Sequence, residues 1–179
     1  MSDLISTGSR KLLIFLLILI GFPGCGGTVS FVVKQYPMKE GMVPNFAGLQ
    51  PVNVINAQDA TDEILIGEDI RGVKYLANLQ KWTDIAINIL KTELHKRNIV
   101  TTTEAEKKIK LAITMAKFDV RWAVKCTVDL KVETGDGYSM VFTRENRSAS
   151  SYQKTCGRAV LWAVAAMLND DTILAYLKH

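Results

Sequence analysis

Cysteine and histidine side chains offer the most reactive chemistry in this chain of 179 residues, which holds three cysteines and two histidines. Sequences of the types HExxH, paired CxxC, P-loop and GxSxG do not occur, so metal-dependent hydrolysis, phosphate binding and a nucleophile elbow lack their parts. A histidine base for a Ser or Cys nucleophile would have to be His95, because His179 is the last residue. His95 lies late in a predicted helix, where a cation meets the helix dipole favourably. We therefore expect no enzyme, no cofactor and no metal site.

Two other groups have a simpler structural interpretation. Asp170 and Asp171 could work as a paired acid and base. Their place before a short apolar run favours helix capping instead. Trp82, Trp122 and Trp162 all lie within periodic elements, so we interpret them as core or interface residues rather than as a platform for a ligand.

Cys25 lies near the end of the stretch "RKLLIFLLILIGFPGCGG", where basic residues, an apolar run and small residues follow one another. The apolar run over 12–20, extended by Gly21 and Phe22, is far shorter than the ~20 residues that a membrane-spanning helix needs. This order is that of a secretory signal, and the cysteine after a small residue resembles the lipobox of bacterial lipoproteins. The resemblance implies cleavage before Cys25 and acylation of that residue, for example with palmitate, so that residues 1–24 are a lipoprotein signal peptide. An ordinary signal peptide with a chance cysteine is the alternative.

The residues after Cys25 indicate a location and a tether. Gly26 is not Asp, and the sorting rule of bacterial lipoproteins then favours the outer membrane, with the domain facing the periplasm. Glycine and proline recur without a clear period up to Gln50, so we interpret residues 25–50 as the lipidated cysteine and a tether. The apolar residues in it are too many for a solvated linker, and we expect part of it to lie along the domain surface: Phe31, Val32, Val33, Tyr36, Met42 and Phe46.

The charge balance is mild. The whole chain has a net charge of +4, and removal of residues 1–24 leaves 20 basic and 17 acidic residues, a net +3. A nucleic-acid footprint needs basic residues clustered on one face. The densest group, Lys107, Lys108 and Lys110, is most simply a solvated strand start. We expect no nucleic-acid partner and a single domain over 51–179.

Hydrophobic periodicity predicts the elements of this domain. Two β-rich runs, "PVNVINA" and "EILIGEDI", are interpreted as strands. A helix that stops near Asn98 is predicted from apolar residues spaced by three and four: Leu79, Trp82, Ala86, Ile89 and Leu90. From about residue 109 to 144, alternating apolar positions and a turn at "GDG" predict a three-stranded antiparallel meander.

The stretch "SASSYQKTCGRAVLWAVAAML" predicts a second helix, capped by Ser150 or Ser151, that covers the apolar face of the meander. Asn169 could take a left-handed position after it, and a last short helix follows. The predicted fold is two-layer α+β. Its mostly antiparallel sheet holds the C-terminal meander and one or two N-terminal strands, with two main helices on one face.

Cys126 and Cys156 form a candidate disulfide. Cys126 lies on the apolar face of the central predicted strand and Cys156 on the apolar face of the covering helix, so both could point into one core in an oxidising compartment. A bridge would close a loop of about 30 residues and contribute roughly 3 kcal/mol in the chain-entropy model. Two separate buried thiols remain the alternative, because a sequence does not establish that two sulfurs meet.

The lipobox, the meander "IKLAITMAKFDVRWAVKCTVDLKVETGDGYSMVFT" and the ending "AVLWAVAAMLNDDTILAYLKH" together resemble the YajG-type uncharacterised bacterial lipoproteins. The resemblance implies a lipid-anchored envelope protein of α+β fold whose biochemical role is undefined, and it supplies no active-site residues.

Two functions follow as hypotheses. The first is a non-enzymatic module that is held at the membrane by its lipid and binds an envelope protein or component. The second is an accessory factor in outer-membrane or lipopolysaccharide assembly that binds lipid, for which we expect an apolar cleft lined by Trp122, Phe142 and helix residues.

Overall fold

The computed structural model describes residues 26–48, 50–120 and 122–179. The predicted signal peptide and the lipidation site Cys25 lie outside these residues. The described elements are seven strands and three helices. In chain order they are β1 (Thr28–Ser30), β2 (Val52–Asn56), β3 (Glu63–Glu68), β4 (Lys74–Asn78), α1 (Leu79–Lys96), β5 (Lys107–Val120), β6 (Val124–Thr134), β7 (Ser139–Ser148), α2 (Tyr152–Met167) and α3 (Asp171–Lys178).

The larger sheet has the strand order β2-β5-β6-β7. Strands β5, β6 and β7 are antiparallel neighbours, so the predicted meander is confirmed. The alternation along β6 is complete, with buried residues on the helix side and half-buried polar residues on the other. Strand β2 extends this sheet in parallel with β5, and Val54 lies opposite Ile109.

A second, smaller sheet differs from the prediction. Strand β3 does not join the larger sheet but pairs antiparallel with β4, and β1 pairs parallel with β4. The turn at 69–73 produces this hairpin, because Gly72 takes a φ of +76° that favours glycine. The two-layer α+β class is confirmed, with two mixed sheets in place of one.

Helices α1 and α2 both pack on the same face of the larger sheet. The Asn78 side chain caps α1 by accepting a hydrogen bond from the Lys81 backbone N–H, and the predicted stop is confirmed at Asn98, which has a φ of 58°. Ser151 is the N-cap residue of α2, although its side chain makes no capping hydrogen bond.

The prediction of a left-handed Asn169 is wrong. Among the described residues other than glycine, only Asn98 has a positive φ. The Asn169 side chain instead donates hydrogen bonds to the carbonyl oxygens of Ala165 (2.7 Å) and Met42 (2.9 Å). The side-chain amide of Asn169 therefore supplies the hydrogen bonds at this helix end, and the backbone takes no left-handed turn there.

Several apolar side chains of residues 26–48 pack into the core. Phe31 and Val33 are buried, and so are Val43 and Phe46 further along. The indole Nε1 of Trp82, which is fully buried, donates to the carbonyl oxygen of Phe31 at 3.3 Å. The packed part of the chain therefore begins well before residue 51, because these apolar side chains gain more from burial than from following the surface.

Candidate functional site

The structure joins Cys126 and Cys156 in a disulfide with a Cα–Cα distance of 5.2 Å. This is the pairing that the sequence left open. Cys126 lies on β6 and Cys156 on α2, and both are fully buried. The bridge holds the covering helix to the central strand of the sheet and is structural, because no solvent reaches either sulfur.

The turn between β3 and β4 holds a buried carboxylate that the sequence reading did not single out. Asp69 accepts hydrogen bonds from the backbone N–H groups of Arg71 (2.8 Å) and Val73 (3.1 Å). The Arg71 guanidinium adds two contacts to Asp69 Oδ2, at 2.7 and 3.1 Å. The hydroxyl groups of Tyr75 and Tyr152 also donate to this oxygen, at 3.3 and 3.4 Å.

This Asp69 cluster is built to hold an ionised carboxylate. The side-chain hydrogen bond from Arg71 and the backbone N–H groups lower the pKa of Asp69 to about 2. Burial is the main cause that raises the pKa of Tyr75, and the hydrogen bond with Tyr152 is the second. A carboxylate with its acceptor sites filled and its proton gone is a poor general acid or base at neutral pH. Since Tyr152 begins α2, the cluster ties the β3–β4 turn to that helix. The "DIRG" order of an Asp two residues before Arg and three before Gly is the turn signal that could have located it.

The other residues considered for catalysis lie at the ends of helices. His95 lies in the last turn of α1 and is exposed, and His179 follows the end of α3. Asp170 caps α3, as predicted, by accepting from the backbone N–H groups of Thr172 (3.1 Å) and Ile173 (3.0 Å). Asp171 is an exposed residue of the first turn of the same helix.

No group of three or more His, Cys, Asp or Glu side chains that could hold a metal ion is found within the described ranges. In the same residues no single helix is both long and apolar enough to span a membrane. Helices α2 and α3 would satisfy that test only when taken together across a bend of 67°.

The face of the larger sheet that is turned away from the helices carries a network of charges. Lys125 on β6 contacts Glu145 on β7 at 2.6 Å, and Lys131 contacts Glu133 at 2.6 Å. The hydrogen bond from Lys131 is the main reason that the pKa of Glu133 is lowered. Thr143 donates to Asp129 at 2.6 Å. Most of these charged side chains pair with one another on this open face, so the face is polar and its net charge is close to zero.

Lys107, predicted to be a solvated residue at the start of β5, is half-buried, with its Nζ 5.4 Å from the centre of the Tyr176 ring.

The predicted apolar cleft is not formed. Trp122 precedes β6 and is fully exposed, rather than lying on the apolar face of a strand as predicted. Phe142 is buried opposite Leu130 on β6. Leu130 lies six residues, or about 20 Å, along β6 from Val124, the strand residue closest to Trp122 in the sequence. The two side chains line separate open depressions, one with Asp119 and Arg147 and the other with Trp162 and Arg144.

No family model and no curated protein matches the sequence. Among solved structures, the chain is similar to the crystal structure of protein XCC0632 from Xanthomonas campestris, described by the family model DUF330. The two are 13% identical, the match covers 84% of this chain and 94% of that chain, and the TM-score is 0.47. Likeness at this level assigns neither a family nor a function.

Proposed function

We propose that the protein is a cell-envelope lipoprotein, anchored through Cys25 in the outer membrane and facing the periplasm, that works as a non-enzymatic binding module. The observation that carries the proposal is the stretch "RKLLIFLLILIGFPGCGG", whose basic start, short apolar run and cysteine resemble a lipoprotein signal. The resemblance of the lipobox, the meander and the C-terminal ending to YajG-type lipoproteins agrees with this.

The arrangement of reactive side chains supports a binding role over catalysis. His95, Asp170 and the Asp69 cluster lie on different elements, and the carboxylates of Asp69 and Asp170 are occupied by capping or turn hydrogen bonds. A general base needs a free acceptor near a substrate site.

The binding surface in this proposal is the open face of the larger sheet. Its ten-residue strand β7 is an edge strand whose residues are mostly exposed. Charged residues on such a strand protect the sheet against non-specific edge pairing while leaving a broad polar surface for a partner. An envelope protein with a polar, charge-alternating face fits this surface.

Photocrosslinking in intact cells tests the binding role. A photoreactive residue in place of Thr127, in the middle of the open face, should give a discrete crosslinked band. The matched control replaces Lys91, which is exposed on α1 away from that face. Crosslinking from Thr127 to one reproducible protein supports the module. The same weak smear from both positions would contradict it.

A further inference from the structure

The first described residues lie against one end of the molecule. Gly27 accepts a hydrogen bond from the backbone N–H of Lys74 at 2.9 Å, and Thr28 begins the pairing with β4. Gly26 lies so close to Gly72 that a Cβ at position 26 would overlap the carbonyl oxygen of Gly72. Gly26 is bonded directly to residue 25, and consecutive Cα atoms are about 3.8 Å apart, so a lipid on Cys25 would be attached one residue away from the contact between Gly26 and the β3–β4 turn.

The same end of the molecule holds Trp122. The Tyr75 ring, on β4, lies 4.8 Å from the Phe118 ring near the end of β5. From Tyr75, β4 runs toward α1, where Thr83 contacts Ile113 earlier on β5. Strand β4 is therefore antiparallel to β5, and the β3–β4 turn extends in the same direction as the end of β5. The β3–β4 turn and Trp122 thus lie toward the same end of the molecule, which we name the anchor end.

The anchor end exposes two large apolar side chains at its tips. Ile70 in the β3–β4 turn is 82% exposed, and Trp122 is 100% exposed. Charges of both signs lie beside them: Arg71 pairs with Asp69 in the turn, and Asp119, Lys125 and Arg147 line the depression at Trp122. The apolar surface that this end offers comes from Ile70 and Trp122.

We propose that the anchor end rests on the phospholipid bilayer that holds Cys25, with Ile70 and Trp122 in the headgroup layer. The proposal rests on the anchoring put forward above. Tryptophan is enriched at membrane interfaces because its ring is apolar and its N–H can reach water or headgroups. An exposed isoleucine gains from leaving water. Only two residues separate the lipid-bearing position from β1, so the domain would stay close to the membrane surface. Its open sheet face would then be exposed to the periplasm in a fixed orientation.

Quenching of tryptophan fluorescence by brominated phosphatidylcholine tests this contact in the full chain, expressed in a bacterium and reconstituted into vesicles. Trp82 is fully buried, and Trp162 is 46% exposed on α2, about 15 Å further along that helix from its start at the anchor end. Two matched variants separate the signals: Trp122→Phe and Trp162→Phe. Both retain an aromatic ring, and far-UV circular dichroism checks that they fold.

The expected result is quenching of the wild-type emission with a shift to shorter wavelength. The Trp122→Phe variant should lose both effects, and the Trp162→Phe variant should retain them. Because the two exposed side chains are uncharged, quenching should occur in neutral vesicles and should not require anionic lipid. If the protein floats with the vesicles but Trp122 stays open to aqueous acrylamide and is not quenched by brominated lipid, the docking is wrong and the anchor stands. If Trp122 is shielded from acrylamide yet not quenched by lipid, it contacts protein, and the docking is again wrong. If the protein does not float with the vesicles, the anchor itself fails and the docking with it.

Discussion

Reduction of the Cys126–Cys156 disulfide should lower the free energy of unfolding by an amount that its loop length sets. The two cysteines are separated by 30 residues, and the bridge connects β6 to α2 across β7. In the chain-entropy model, cross-linking removes freedom from the unfolded chain, and a loop of 30 residues contributes about 3.6 kcal/mol at 25 °C. Both sulfurs are fully buried, so the folded state should keep its packing as two small apolar thiols when the bond is opened.

Urea unfolding of the full chain in a mild detergent, followed by far-UV circular dichroism, measures this difference with and without reductant. The double variant Cys126→Ala/Cys156→Ala is the matched control, because it has no bridge to lose and should unfold at the same urea concentration in both buffers. A loss of less than about 1 kcal/mol in the wild type would refute the entropic reasoning. Equal mass after alkylation with and without reductant would refute the bridge itself.

Three further changes test the packing of the domain. Thr83→Val should lower the free energy of unfolding by about 1–3 kcal/mol, because the buried Thr83 hydroxyl accepts from the Ile113 backbone N–H at 2.9 Å and that donor would lose its partner; urea unfolding measures it. Gly157→Ala should destabilise by about 1–3 kcal/mol, because the new Cβ would overlap the carbonyl oxygen of Lys34, and a thermal melt detects it. Asp69→Asn should lower the melting temperature at neutral pH, and its difference from the wild type should narrow as the pH falls from 3.8 toward 2. The sign follows because the pKa of Asp69 in the folded protein, about 2, lies below its ordinary value of 3.8, so its contribution is complete above pH 3.8 and is lost as the carboxylate is protonated.

Each of these three changes has an outcome that would contradict it. Thr92→Val on the exposed side of α1 removes a similar hydroxyl that donates to the Asn88 carbonyl oxygen at 2.7 Å, and an equal loss from both threonine variants would contradict the role of Thr83. Alanine in place of glycine inside a helix is normally stabilising by about 0.5–1 kcal/mol, so a more stable Gly157→Ala protein would show that α2 is not held against residue 34. A temperature difference for Asp69→Asn that does not change with pH would show that Asp69 carries an ordinary pKa.

The parts of the fold that could be predicted are those in which one periodic pattern decides the structure. Strands β5 and β6 alternate over many residues, so the meander follows from the requirement that one face be covered. The apolar stripe of α1 identifies both the helix and the face that it buries, from Leu79 to Leu90. Cys126 and Cys156 could be placed on facing surfaces by the same reasoning, although their distance could not.

Short strands and contacts between residues far apart in the sequence could not be predicted. Strands β1 and β4 have three and five residues, too few for a period to be recognised. Whether Phe31 enters the core depends on the space that Trp82 leaves, which is set by packing and not by local pattern. The Asp69 cluster needs Tyr152, 83 residues away, and no spacing rule connects the two. Trp122 was misplaced because the alternation of β6 extends in the sequence beyond the point where the strand pairing ends at Val124.

The lipoprotein proposal depends most directly on Cys25, and intact mass together with membrane partition tests it. The protein is expressed in a bacterium beside a Cys25→Ser variant, and both are fractionated. The proposal predicts a wild-type chain that begins at Cys25, carries the added mass of acyl chains and stays with the membrane, while the variant carries no lipid and no longer matures at that position. A wild-type chain without lipid, or one that keeps residues 1–24, would contradict it.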